Sequence, residues 1–442
     1  MRTAAVNRRQ MLTGLAASAL AAPMRAYGQS DALVGGSGED QTLRLQQAML
    51  DAARAGRPLD LPGGTFLVEA LSPPSGLVLR GVPGHTTLIA RNGGPALSLD
   101  NGEDIVIDDI TFRAADPGSS AGLVTLNAAS GIRLRGCDFA QSALGLDAFA
   151  SEALITDCRF GNLSDAAIHS MDGLGLTITQ CRIADCGNAG IRIWRSANGT
   201  DPTIISNNRI ERIDWRGGGN GQNGNGVNVF RADGAIIANN HIADCAFTAV
   251  RLNGSRNAQV SGNLCRDSGE VAIFSEFEFS GSVIANNIVD GAAAGISITN
   301  LDAGGQLAVC TGNIVRNIAP RSEVNPDTTP YGIYAEAETV ISGNTVQNIP
   351  GIGLAAGFGS YLRNVVITGN VANDIDIGIG VSVVEGAGAV HIADNIISGA
   401  SQHAVAGLAW REVVEPDLLA NASRFPNVSL GENRVGTATQ LS

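Results

Sequence analysis

A short unit recurs thirteen times between Ile107 and Val435: an aliphatic residue, two others, an anchor, one other, and a second apolar residue. The anchors are Ile110, Cys137, Cys158, Cys181, Asn208, Asn240, Asn263, Asn287, Asn313, Asn344, Asn370, Asn395 and Asn433. Three positions before them stand residues such as Ile155, Ile205 and Ile341, and two positions after them Phe139, Ile210 and Val346. Successive anchors are 21 to 38 residues apart, so a constant core carries loops of variable length. The segments alternate apolar and polar residues and are rich in Ile and Val, which predicts strands rather than helices. Such strands bury their apolar side by stacking coil on coil. At about 4.8 Å per coil, the twelve steps between anchors make a rod on the order of 58 Å long. Asparagines at equivalent turns of neighbouring coils can then hydrogen-bond up the rod.

A second strand is expected after each anchor, opening with Gly or Ala, as in Gly190-Ile191-Arg192-Ile193-Trp194 and Gly226-Val227-Asn228-Val229-Phe230. Its fourth position, from Ala148 and Ser170 through Ile193, Val229 and Leu252 to Ala335, is small or aliphatic and is expected to face inward. The third and fifth positions then face outward and stack into columns. The third reads Asp147, His169, Arg192, Asn228, Arg251, Phe274, Ser297 and Tyr334. The fifth reads Phe149, Met171, Trp194, Phe230, Asn253, Glu276, Thr299 and Glu336.

These residues resemble the right-handed parallel β-helix of the pectate lyase superfamily. The expected fold is therefore all-β, a right-handed parallel β-helix of about 13 recognisable coils with a short N-terminal capping helix. Asp40 can cap that helix, Leu45, Ala48, Met49 and Ala52 share one of its faces, and Gly56 and Pro58 end it. The resemblance runs from about Asp40 to the C-terminus. Together with Arg8 and Arg9, which precede the mild apolar run Leu12 to Ala22, it is similar to a family of twin-arginine-translocated repeat proteins, whose name implies no reaction. The expected organisation is a twin-arginine signal at 1–28, a cap and first strand at 29–70, and the repeat domain at 71–442. The apolar run is far shorter than the ~20 residues a spanning helix needs, and export to the periplasm or beyond is expected, with the translocation machinery as a partner.

The chain has no lysine, its 29 basic residues face 42 acidic ones, and a net charge of -13 argues against nucleic acid as a partner. Seven cysteines leave at least one unpaired even where disulfides can form. Cys137, Cys158 and Cys181 take the place that later coils give to Asn, so a buried ladder of small residues is expected and zinc is not. No cofactor motif is present. Calcium stays open, because Asp185, Asp244, Asp267, Asp290 and Asp374 recur near turns, although such residues more often satisfy turn backbone.

The outward columns are where chemistry is expected. Exposed aromatics beside arginines suit an acidic poly- or oligosaccharide, with flat faces for sugar rings and forked donors for carboxylates. The candidate contacts are Asp147, Trp194, Arg195, Asn228, Phe230, Arg231, Glu276, Tyr334 and Glu336. Two insertions, Asp214 to Asn225 with Trp215 and Arg216, and Ala319 to Pro330, are expected to overhang this face. If a reaction occurs, His169 or Arg192 is the candidate base and Arg251 the carboxylate clamp. Arg192 and Trp194, pointing outward, should be removable at little cost to the fold. The superfamily's polygalacturonase and epimerase signatures are absent, and Asp108-Asp109 is better read as turn residues than as a hydrolase pair. A polysaccharide lyase, hydrolase or epimerase and a non-catalytic, partner-binding β-helix of the cell envelope therefore both stand.

Overall fold

The computed structural model describes residues 33, 35–36, 38–118, 121–219, 221–299 and 304–436. The segment holding Arg8 and Arg9 lies outside the described residues. Alternation of period two gives the strands, and their stacking gives a parallel β-helix with three faces per coil. The first face is a 15-stranded sheet of the segments before the anchors, such as Ile204–Ser206, Ile236–Ala238 and Gln259–Ser261. The second begins just after the anchor, as in Arg182–Cys186, and the third carries the strands that open with Gly or Ala, as in Ala189–Thr200. In several coils the second and third faces are one bent strand, for example Arg159–Met171.

The anchor corner explains the repeat. Asn287 Nδ2 donates to Val260 O at 2.9 Å and to Asn313 Oδ1 at 3.0 Å. Its own Oδ1 accepts from Asn263 N and Asn263 Nδ2, both at 3.0 Å. The same pattern runs from Asn208 to Asn433, so each rung satisfies the buried polar groups of its neighbours. In every coil but the last, the residue before the anchor sits in the left-handed region, which favours Asn, Asp and Gly. Gly262 shows why glycine recurs there: its φ is 67°, and an added Cβ would lie 2.5 Å from Asn239 Oδ1. Asp109 occupies the same corner at φ 59°, and Asp108 is buried against Arg135, so that pair serves the turn.

Where the anchor is cysteine, the thiol takes over one of asparagine's bonds. Cys137, Cys158 and Cys181 each reach the carbonyl three residues before the preceding anchor, Ile107 O, Leu134 O and Ile155 O, at 3.6 to 3.7 Å. All seven cysteines are free and buried. Hydrogen bonding with Cys137, together with burial, holds the Cys158 thiol well above the ordinary range, and burial pushes Cys265 and Cys310 up to about 12. A thiol must ionise and meet its reagent to react. An aromatic disulfide reagent at pH 8 should therefore label none of the seven in the native protein and all of them in denaturant; one fast-reacting thiol in the native state would contradict the buried ladder.

One aliphatic core runs from Leu33 to Leu418. At its N-terminal end the helix Thr42–Arg54 buries Leu45, Met49 and Ala52. Asp40 accepts from Thr42 N at 2.9 Å and sits just outside the helix, with Gln41 rather than Asp40 at the capping position. Near the other end, Glu412–Glu415 pairs antiparallel with Ile396–Ala409, ahead of the short helix Leu418–Asn421.

Candidate functional site

The third face brings the two expected columns into register. Asp147, His169, Arg192, Asn228, Arg251, Phe274, Ser297 and Tyr334 are successive partners across neighbouring strands. Phe149, Met171, Trp194, Phe230, Asn253, Glu276 and Thr299 are likewise. The position between them faces the core, as Ile193, Val229 and Leu252 show.

The expected exposure of these columns is corrected by the loops above them. Arg192 is 7% exposed, Arg251 6%, Asn228 4%, Glu276 4% and Glu336 0%. These side chains leave the coil and run into a second layer of protein. Arg192 makes a bidentate pair with Asp165 at 2.9 and 3.0 Å and donates to Asn223 of the first insertion at 2.9 Å. Burial alone would raise the Asp165 carboxyl, but the Arg192 guanidinium, with Asn188, holds it below the usual carboxylate range. Arg251 is bidentate on Glu276 and reaches Glu270 at 3.2 Å. Glu270 in turn accepts from Asn325 of the second insertion at 2.7 Å. Gly221 lies so close above that an added Cβ would stand 2.9 Å from Arg251 Cζ. The insertions overhang the face as expected, and the two arginines hold them down. A guanidinium already engaged by carboxylates is neither a free base nor a free clamp for a substrate.

Trp215, too, is spent on its own loop: its Nε1 donates to Gly219 O at 2.9 Å and its ring packs on Phe247 at 5.0 Å. Arg216 pairs with Asp214 at 2.9 Å. Tyr334 packs on Tyr331 at 5.4 Å, and burial, with Glu336 close by, pushes its hydroxyl well above the ordinary phenol range.

What remains accessible is the N-terminal half of the fifth column. Phe149 is 50% exposed, and Met171, Trp194 and Phe230 are half-buried on the next three coils. Trp194 meets His169 edge-on at 5.6 Å and Phe230 at 6.4 Å, and its Nε1 donates to Asn228 Oδ1 at 3.3 Å. One wall is the loop around Gly221 and Gln222, whose carbonyls accept from Asn228 Nδ2 at 3.3 and 3.4 Å. The other is a bulge at 195–199. There Arg195 binds Gly173 O and Thr200 O, Arg231 binds Ser196 O, and Asn198 reaches Gly254 O. Beside the strip, His169 Nδ1 lies 3.1 Å from Asp147 Oδ1, and the buried His169 Nε2 has no hydrogen-bond partner among the described residues.

Sequence reasoning missed a second opening. An open cleft of about 590 Å³ lies between the two insertions, lined by Asp185, Arg212, Asp214, Arg216, Asp244, Asp267, Ser268 and Val324 among others. Asp185, Asp244 and Asp267 each stand four residues after an anchor in the left-handed conformation, with Arg212 at that place in the coil between Asp185 and Asp244, a periodicity visible in the sequence but read there as turn chemistry. Among the described residues no group of three or more His, Cys, Asp or Glu side chains is placed to hold a metal ion, and no helix is long and apolar enough to cross a membrane.

The sequence matches the model of the right handed beta helix region over residues 84–210 and 189–363, more than half of the chain. The chain belongs to the right-handed β-helix family. A search of curated proteins finds no match. Among solved structures, this right-handed β-helix is similar to pre-mature bacteriophage phi29 gene product 12, with a TM-score of 0.56, 16% identity, and 87% of this chain and 57% of that chain covered. It is similar to a PL6 alginate lyase in complex with a trisaccharide, with a TM-score of 0.53, 12% identity, and 93% and 96% covered. It is also similar to PfbA, a surface adhesin of Streptococcus pneumoniae, with a TM-score of 0.51, 15% identity, and 87% and 92% covered. The right-handed β-helix spans 46% of the length of the enzymatically active domain of bacteriophage CBA120 tailspike protein 2. At these identities the likeness is one of fold.

Proposed function

We propose that this β-helix binds a polysaccharide along the third face, with successive sugar rings against Phe149, Met171, Trp194 and Phe230. The observation that carries the reading is that strip: apolar side chains on four consecutive coils, accessible and walled on both sides, in a protein that is only 4% aromatic. Stacked strands repeat at about 4.8 Å, close to the length of one pyranose ring, so a glycan running parallel to the axis meets a new side chain at every ring. Aromatic faces contribute by area and by their electron-rich surface, while Asp147, His169 and the loop carbonyls offer partners for hydroxyls. The fold alone does not choose between binding and processing, since an alginate lyase and a surface adhesin both have it.

Trp194→Ala and Phe230→Ala should each weaken binding of the cognate oligosaccharide at least fivefold, about 1 kcal/mol, in a calorimetric titration. The melting temperature should fall only modestly and the circular dichroism spectrum should stay native, because both rings are partly covered but lie outside the aliphatic core. Absence of any glycan binding by the parent, or undiminished binding by both variants, would end this reading.

A catalytic reading is favoured by one specific pair. Asp147 can hold the Nδ1 proton of His169 and so orient the imidazole beside the strip, but Nε2 is buried next to Trp194, so a general-base role requires that ring to move aside when substrate binds. If the strip processes its glycan, incubation with the parent releases new unsaturated or reducing ends, and His169→Ala abolishes their release while leaving binding within about twofold.

A further inference from the structure

The second face carries an arginine column that the third-face reading does not use. One residue after successive anchors stand Asp138, Arg159, Arg182, Arg209 and His241, in register strand to strand. Arg159 and Arg209 have side chains 70% and 57% exposed, and Arg182 between them is exposed as well. Two positions further along each strand the floor is small: Ala140, Gly161 and Ala184, ending at Glu211.

Like charges directly opposite on neighbouring strands repel. Elsewhere this chain answers its arginines with bidentate carboxylates, as at Arg135 with Asp108 and Arg212 with Asp185. Along the column it does not. The Arg182 side chain has no ion pair or hydrogen bond among the described residues, and the carboxylate paired with Arg159 is Asp138 at 3.9 Å. Only Arg209 is held closely, by Glu211 at 2.6 Å, and Glu211 also binds Arg212. The result is a shallow trough with three arginines in register along one side, the central one without a carboxylate partner among the described residues, and a carboxylate at each end.

We propose that this trough binds a linear anionic oligosaccharide, with carboxylate or sulfate groups on successive rings answering Arg159, Arg182 and Arg209. The strands that carry the arginines repeat at about 4.8 Å, so the side chains can offer one guanidinium per coil to one anionic group per ring. The Ala and Gly floor admits a ring edge but gives no aromatic platform for bases, which disfavours a single-stranded nucleic acid. This site lies on a different face from the Trp194 strip and stands or falls without it.

The test uses the whole chain, titrated at low and moderate salt with oligogalacturonate, a sulfated dextran oligosaccharide, a neutral malto-oligosaccharide and a short single-stranded DNA. We expect salt-sensitive binding of at least one of the two anionic saccharides and none of the other two at this trough; whether carboxylate or sulfate binds better identifies the group. Arg159→Ala/Arg182→Ala/Arg209→Ala should lose binding at least tenfold, with a melting temperature unchanged or raised, because it removes repulsion. Gly161→Leu should lose it as well by filling the trough: an added Cβ meets Ala184 O at an ordinary 3.5 Å, so the fold keeps its place. Trp194→Ala should leave it intact. No binding of either anionic saccharide, undiminished binding in both column variants, loss in Trp194→Ala alone, or tighter binding of the DNA would overturn the proposal.

Discussion

Replacing Arg251 with alanine should lower the unfolding free energy by about 3–5 kcal/mol, the usual cost of removing one partner from a buried ion pair. The loss comes from what is left behind. Glu276 and Glu270 are 4% and 3% exposed, and without the guanidinium each is a buried carboxylate with only amide or hydroxyl partners, Asn253 for one and Thr248 and Asn325 for the other. Asn325 ties the second insertion to Glu270, and Gly221 of the first lies against the guanidinium, so the variant should also loosen both loops. A denaturant titration followed by tryptophan fluorescence, with limited proteolysis at 319–330, reads both effects. A triple variant, Arg251→Met with Glu270→Gln and Glu276→Gln, should recover much of the loss, because it removes the buried charges together. A single variant as stable as the parent would mean that Arg251 is free to meet a ligand, as its outward direction in the sequence suggested.

The second large effect is expected at Asn287, in the middle of the asparagine ladder. Alanine there removes the acceptor of Asn263 N and Asn263 Nδ2 and the donor to Val260 O and Asn313 Oδ1. Each buried polar group left unsatisfied costs on the order of 1–3 kcal/mol, so a total of about 3 kcal/mol or more follows even if the coil relaxes. Asn287→Cys should cost less than Asn287→Ala, since the chain itself uses thiols at Cys137, Cys158 and Cys181 to reach the equivalent carbonyl. Asn433→Ala, at the exposed end of the ladder, should cost least. Equal stabilities for the three variants, measured by thermal denaturation, would show that the ladder is a by-product of stacking and not a support for it.

The coils were legible because their physics is local and repeated. Anchors such as Asn240 and Asn263, the aliphatics three before them and the left-handed residues just before them each answer to one turn geometry, and the same alternation told which residues leave the core. What lies above an outward residue is not local. Arg192 and Arg251 do point away from the coil, but their cover comes from insertions without periodicity, in which Gly221 permits close approach and Asn223 and Asn325 supply the contacts. Their counter-charges held a usable signal: Asp165 and Glu270 each stand seven residues after an anchor, Cys158 and Asn263, on the bend between faces. A buried arginine requires a carboxylate within reach, and matching the two columns would have foretold the closed network. The aspartates of the cleft share a turn position with many purely structural residues, so their chemistry showed only once the two insertions were seen on either side of them.

The most direct test of the account is a crystal structure of the β-helix soaked with the oligosaccharide that binds it most tightly. The account predicts rings stacked along Phe149, Met171, Trp194 and Phe230, parallel to the helix axis, with Arg192 still on Asp165 and Arg251 still on Glu276. A sugar acid bound directly by Arg192 or Arg251, with the insertions lifted away and the strip empty, would contradict it.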